Sequence, residues 1–391
     1  MIDRVAYLCA DAGIPPDGSK GASVHFRAMA QAFASLGTKL DVFMARAGDV
    51  SGFAPHRART VPTPRAPGTA GEVLQLGHAG ALLEAMTAAG PHTAVYERLS
   101  LFGLAGLAHA RRLRIPFLVE VNAPLWREAA MFRELSLPAA AQGVCLDVLR
   151  AADRVFAVSA ALALELATAG VAKERIEVLG NGADLALFRS APAAPKPASL
   201  RGRPTLLFVG SLKPWHGVEF LLRGFAALRP QANCGLWIVG DGPERHRIEL
   251  AQRAFPGDIV LEGAVEHARI PSLLRAADIV VAPYTSSAPH YFSPLKITEA
   301  LAAGRPLLAS RVPCVEQTLV GHEPIGLFAA DDICSFVTAA HRVLAAGEMA
   351  GSDGIDPRLV QELDWTEKAR QVARHFATAD NSPRALENHR V

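Results

Sequence analysis

The chain lacks the marks of several common protein classes. Five cysteines, Cys9, Cys145, Cys234, Cys314 and Cys334, are scattered along 391 residues with no C-x-x-C pair. That spacing provides neither a zinc knuckle nor a disulfide framework. Lys plus Arg number 40 against 38 Asp plus Glu, so there is no large basic field to hold nucleic acid. No run of 18 apolar residues occurs, and the opening MIDRVAYLCADAG has no basic leader with a signal-length apolar core. A soluble cytoplasmic protein is the expectation. No Asp-x-Asp pair and no His/Asp/Glu set with metal-ligand spacing is found, so no metal and no other cofactor is expected. Neither G-x-G-x-x-G nor G-x-x-x-x-G-K-[ST] follows an apolar run, which argues against dinucleotide and Walker-type sites.

What the chain does have is repetition of a simple kind. Near-continuous apolar runs VAYLCA (5–10), LDVFMA (40–45), AVYE (94–97), PFLVEV (116–121), RVFAVS (154–159) and IEVL (176–179) read as parallel strands buried on both faces. Helix-length segments such as 23–37 and 101–114 lie between them. SAPAAPKPASLRGRP (190–204) is aperiodic and rich in proline and alanine, the composition of a linker. The pattern then restarts with TLLFVG, GLWIVG, DIVLEG, DIVVAPY and PLLAS. The expected fold class is α/β, two doubly wound Rossmann-like domains facing a cleft, since the chain is too long for one ordinary core. The boundaries read as a first domain at 1–189, the linker, a second domain at 205–364, a helix at 365–378 crossing back, and a disordered tail at 379–391. Linker and closing helix would be the two crossings of a hinge.

Ligands in such folds sit at the carboxyl ends of strands. Four loops there are marked by glycine or by a helix start. DAGIPPDGSKGAS (11–23) brings Gly21 and Ala22 to a helix N-terminus, where backbone N–H groups favour an anion. GSLKPWHG (210–217) carries Gly210, Ser211, Lys213 and His216, and VGDGPE (239–244) carries Gly242. In SPLKITEALAAGRP, Ser293 reads as an N-cap, Pro294 as the first helical residue, and Gly304 with Pro306 as the stop. Lys296, one residue past Leu295, then falls where the helix dipole disfavours a cation. An ion pair with Glu299, three residues on, would be a modest structural reason. A bound phosphate would account for the first-turn position itself. HARRLR (109–114) is either a solvated helix face or a weak contact with an anionic membrane surface.

In order, KGASVH (20–25), ADRVFAVS (152–159), LGNGADLALF (179–188), FVGSLKPWHG (208–217), IVGDGPER (238–245), AADIVVAPY (276–284) and SPLKITEALAAGRPLLAS (293–310) resemble a retaining GT-B glycosyltransferase of glycosyltransferase family four. The resemblance implies transfer of a sugar from a nucleoside diphosphate sugar to a small-molecule or glycan acceptor, without metal. It implies that Glu299 holds the donor ribose. The family's other glutamate, eight positions earlier, is Tyr291 here. Its diphosphate-gripping arginine and lysine are Ser211 and His216, which leaves Lys213 and Lys296 as the clamp. The family's histidine near the sugar falls at Asn122, which can orient a hydroxyl and cannot act as a titrating base. His25, Glu97, Arg98, Glu120 and Asn122 are the expected acceptor side, although His25 on an amphipathic helix also has an ordinary packing role. Two rival readings share the fold: a nucleotide-sugar epimerase and a non-catalytic nucleotide-sugar-binding protein.

Overall fold

A computed structural model describes residues 4–376 apart from 54, 65, 133, 289–290, 320–325 and 348–356; the tail expected at 379–391 lies outside the described residues. Seven strands, β1 (Arg4–Cys9), β2 (Lys39–Met44), β3 (Arg57–Thr60), β4 (Ala94–Arg98), β5 (Phe117–Val121), β6 (Arg154–Ala157) and β7 (Ile176–Val178), form one parallel sheet in the order β3-β2-β1-β4-β5-β6-β7. Six more, β8 (Thr205–Val209), β9 (Gly235–Val239), β10 (Ile259–Gly263), β11 (Ile279–Ala282), β12 (Leu307–Arg311) and β13 (Leu327–Ala329), form a second in the order β10-β9-β8-β11-β12-β13.

Continuous apolar runs supply both faces of each sheet. Ala6 and Leu8 pack into one core layer of the first sheet while Val5, Tyr7 and Cys9 pack into the other. In β8, Leu206 and Phe208 face one layer and Leu207 the opposite one. The strand order reverses beside β1 and β8, so the loops leaving β1, β4, β8 and β11 open onto a crevice.

The boundary at 189 does not match the packing. Leu185 and Phe188 lie in the core of the second sheet, and the expected linker runs along that half, with Ala194 donating to the Ser272 carbonyl and Lys196 paired to Asp278 at 2.5 Å. The chain therefore leaves the first half near Ala183. It returns between Leu363, still in the second core, and Trp365, already in the first. Asp364 caps the returning helix, Trp365–Ala373, by accepting from the Thr366 N–H at 2.7 Å. Among the described residues no helix is long and apolar enough to cross a membrane.

At the amino ends of the first sheet's strands sits a buried chain of charges. Arg4 donates to Asp41 at 2.5 Å, Asp41 also accepts from His92 at 3.1 Å, and His92 Nδ1 lies 2.9 Å from His109 Nε2. Burial holds both imidazoles below their usual value, His109 at about 4, with His92 and Arg112 pushing His109 the same way. The unfolded chain protonates His109 near 6.5, whereas the folded chain does so only near 4, so stability should fall as pH drops through that window. His109→Gln should flatten the fall, read from urea midpoints at several pH values between neutral and acid. Equal slopes in the two proteins would remove His109 from the explanation.

Candidate active site

A cleft of about 860 Å³ opens where the carboxyl ends of the two sheets face each other. Its wall on the second sheet's side includes Gly210, Ser211, Lys213, His216, Tyr284, Tyr291, Ser293, Leu295, Lys296 and Glu299, and opposite them lie Gly21, Ala22, His25, Arg98 and Asn122. Of the residues singled out from sequence, Gly242, Pro294, Glu97 and Glu120 do not line it.

The helix Leu295–Ala302 decides between the two accounts of Lys296. Glu299 accepts from His267 Nε2 at 2.8 Å, and Lys296 Nζ has no hydrogen-bond partner. The intrahelical pair is not formed. The Lys296 ammonium lies 4.0 Å from the centre of the Phe208 ring and 5.0 Å from that of Tyr284, two cation–π contacts that soften its desolvation. Burial still lowers its pKa to about 7, with Glu299 acting in the opposite direction. Lys296 is thus a buried ammonium at the cleft that no carboxylate hydrogen-bonds.

Ser293 does not cap this helix. Pro294 holds the N-cap position with no side-chain cap bond, and the helix stops at Ala302 ahead of Gly304 at φ 63°. The Ser293 hydroxyl accepts instead from the Asn181 backbone N–H at 3.0 Å, while the Ser293 carbonyl accepts from Asn181 Nδ2 at 2.7 Å. Capping chemistry predicted the wrong partner because a tertiary contact outbid the local one. The helix start is thereby left uncapped at the cleft, where its orphan N–H groups favour an anion. Across the cleft the helix Gly21–Ser35 also begins without a side-chain cap. A methyl group at Gly21 would lie only 3.1 Å from Leu295 Cδ1, so glycine permits this close approach.

Lys213 is exposed, with Nζ 4.8 Å from the centre of the Trp215 ring. His216 donates from Nδ1 to the Ser211 carbonyl at 2.6 Å, and burial together with the Lys296 charge holds its pKa at about 3. His216 is thus a neutral imidazole, and the positive charge on this wall rests on Lys213 and Lys296. Gly242, at φ 152°, is a packing glycine: a methyl group there would meet the Leu212 backbone at 2.8–3.0 Å.

Behind the opposite wall Glu120 is the hub. It accepts from His25 Nε2 at 3.0 Å, Arg98 Nη1 at 2.7 Å, Asn122 Nδ2 at 2.9 Å and the Tyr96 hydroxyl. Burial alone would raise this carboxyl; His25, Arg98 and Tyr96 together hold it well below the usual carboxylate range. His25 Nδ1 lies 2.7 Å from Asn181 Oδ1, so both ring nitrogens face acceptors and the ring is committed to this network. The network runs Glu120–His25–Asn181–Ser293, joining the first sheet's side of the cleft to the segment just ahead of the Lys296 helix. Glu97 lies outside it, at Gly106 beneath the helix Ala105–Leu113. Burial lifts its carboxyl to about 8 while the Gly106 N–H acts the other way.

Sequence reasoning missed Asn181, Glu128 and His267. Asn181 stood in a quoted motif where Asn-Gly also reads as simple turn chemistry. Glu128 lies in the first turn of the helix Leu125–Phe132, where an acidic residue reads as ordinary dipole chemistry, yet its Oε1 accepts from the Tyr291 hydroxyl at 2.5 Å. Among the described residues no group of three or more His, Cys, Asp or Glu is placed to hold a metal ion.

Two doubly wound parallel sheets facing a common cleft define a GT-B protein. Residues 203–346 match the family Glycosyl transferases group 1, and residues 19–187 match Glycosyltransferase Family 4. The chain belongs to these glycosyltransferases. It resembles the solved structure of HepE from Anabaena in complex with UDP, at 16% identity and TM-score 0.72, over 95% of this chain and 98% of that one. A sucrose-phosphate synthase from Thermosynechococcus elongatus superposes equally well, at TM-score 0.72 and 21% identity over 96% and 98% of the two chains. These likenesses show the fold. In sequence it is 31% identical over 270 residues to D-inositol 3-phosphate glycosyltransferase 2 of Catenulispora acidiphila, covering 63% of this chain and 59% of that protein. It is 25% identical over 252 residues to a glycogen synthase of Mycobacterium tuberculosis, covering 61% and 57%. The chain thus spans a little over half the length of the curated relatives it matches.

Proposed function

We propose that this protein moves a sugar from a nucleoside diphosphate sugar to an acceptor hydroxyl, with retention of anomeric configuration and without a catalytic metal. The observation that carries the reading is the buried, unpartnered Lys296 ammonium at an uncapped helix start in the cleft. As the bond between the anomeric carbon and the phosphate oxygen breaks, its electron pair goes to the diphosphate. Lys296, Lys213 and the helix N–H groups stabilise that growing charge. The departing phosphate oxygen takes the acceptor's proton, and the acceptor oxygen bonds to the anomeric carbon on the face just vacated. The products are a glycoside and a nucleoside diphosphate.

Glu299, oriented by His267, is the ribose partner in this scheme. HepE of Anabaena has been solved with UDP and with UDP-glucose, which makes UDP-sugars the first donors to try. The membrane contact suggested by HARRLR is not part of the reading. His109, in that stretch, joins the charge chain at the strands' amino ends, whereas the cleft lies at their carboxyl ends.

A thermal-shift screen of UDP-, GDP-, ADP- and dTDP-sugars tests the proposal, with Glu299→Ala run beside the parent. One nucleotide series should raise the melting temperature. The variant's affinity for it should fall about 10- to 100-fold, the worth of hydrogen bonds to a charged group. No response to any nucleotide would sink the reading. Epimerised donor formed without acceptor would point to an epimerase, and binding without turnover across a broad acceptor panel to a non-catalytic protein.

A further inference from the structure

A second cavity of about 340 Å³ adjoins the cleft on the side of the first sheet. Its walls are the loop after β1, including Asp11, the loop after β4 from Ser100 to Gly103, Thr63 beyond β3, and His78 and Gln75 on the helix Gly68–Ala89. Among the described residues, Lys20 and Glu128 alone line both cavities. A molecule seated in the second cavity would therefore present itself to the donor between that ammonium and that carboxylate.

The lining chemistry is selective. Asp11 and Glu128 are carboxylates, Lys20 is the one ammonium, and Thr63, Ser100 and Gln75 add hydroxyl and amide groups. Carboxylates accept hydrogen bonds from hydroxyl and ammonium groups, and they repel phosphates and other carboxylates. Glu128 is also held in place, since its Oε1 accepts from Tyr291, which comes from the opposite side of the cleft. Asp11 Oδ1 is fixed by the Gly13 N–H at 2.7 Å. The volume is at the small end for ligand sites, suited to a single ring with substituents.

We propose that this cavity is the acceptor site, and that the acceptor is an uncharged or amino-bearing polyol rather than an anionic one. This rests on the transferase reading above. Glu128 engages the acceptor next to the reacting hydroxyl, and Asp11 engages it deeper in the cavity.

The test uses the full chain with the donor found by the nucleotide screen. Neutral sugars, amino sugars, sugar phosphates and uronates are supplied at equal concentration. Neutral or amino acceptors should be used at least tenfold more efficiently than anionic ones. Asp11→Asn should raise the acceptor KM about tenfold, most for amino acceptors, and leave the donor KM within twofold. Preference for phosphorylated or carboxylated acceptors would overturn the proposal, as would an Asp11→Asn enzyme with unchanged acceptor KM. Donor turnover to free sugar, with no panel member glycosylated, would reject the polyol class and leave the transferase reading standing. Failure to bind any donor would instead defeat the transferase reading itself.

Discussion

Lys296→Met should turn over donor about 30- to 1000-fold more slowly than the parent at saturating substrate, while folding at least as well. Stabilisation of a developing diphosphate charge by one preorganised group is worth about 2–4 kcal/mol. Methionine keeps the stem against Phe208 and Tyr284; it gives up the two cation–π contacts but also removes a buried charge that has no hydrogen-bond partner, which offsets that loss. Donor affinity gives a second readout. With Lys296 titrating near 7, the cation is present below that pH, and above it binding must take up a proton. Affinity should therefore be level below pH 7 and weaken as pH rises, and this dependence should vanish in the variant. Calorimetric titration across pH 6–9 measures both. Near-normal turnover by Lys296→Met would end the clamp hypothesis.

Glu120→Gln should act on stability first. Four donors converge on this carboxylate, and three of them, Arg98, His25 and Tyr96, are themselves buried. Glutamine offers one acceptor oxygen and no charge, which leaves the Arg98 guanidinium buried without its anion. Breaking a buried pair from one side costs about 3–5 kcal/mol, a large share of the stability of an ordinary fold. Equilibrium urea denaturation should show that loss. A change below about 1 kcal/mol would mean that the open cleft solvates Arg98 well enough to replace the pair.

The strands most legible in the sequence are those buried on both faces, because burial demands an uninterrupted apolar run. β3, reading RART, and the three-residue β13 gave no such signal. Both close the edge of a sheet and need only one paired flank. At the site, Lys296 was legible through a local conflict, a cation where the dipole opposes one. Glu120 and Arg98 stood in strands, but their partnership depends on β4 and β5 lying side by side, which no local pattern states. The Ser293 capping rule failed for a related reason: Asn181 lies 112 positions away in the chain, beyond the reach of capping rules. The neutral state of His216 follows from burial and from Lys296, a neighbour supplied by another element.

The place where the chain passes between its two halves has a mechanical consequence. Ala183 donates to the Leu363 carbonyl at 2.7 Å and accepts from the Trp365 N–H at 3.3 Å, so the outgoing and returning segments are tied side by side. Two separate tethers would let the halves slide as well as rotate. One paired cord leaves torsion about its own length as the soft motion, so a hinge placed there would turn the halves about that axis, as covers turn about a book's spine, rather than slide them. Changing the length or stiffness of 190–204, which lies beyond the cord on the second half, leaves that axis where it is.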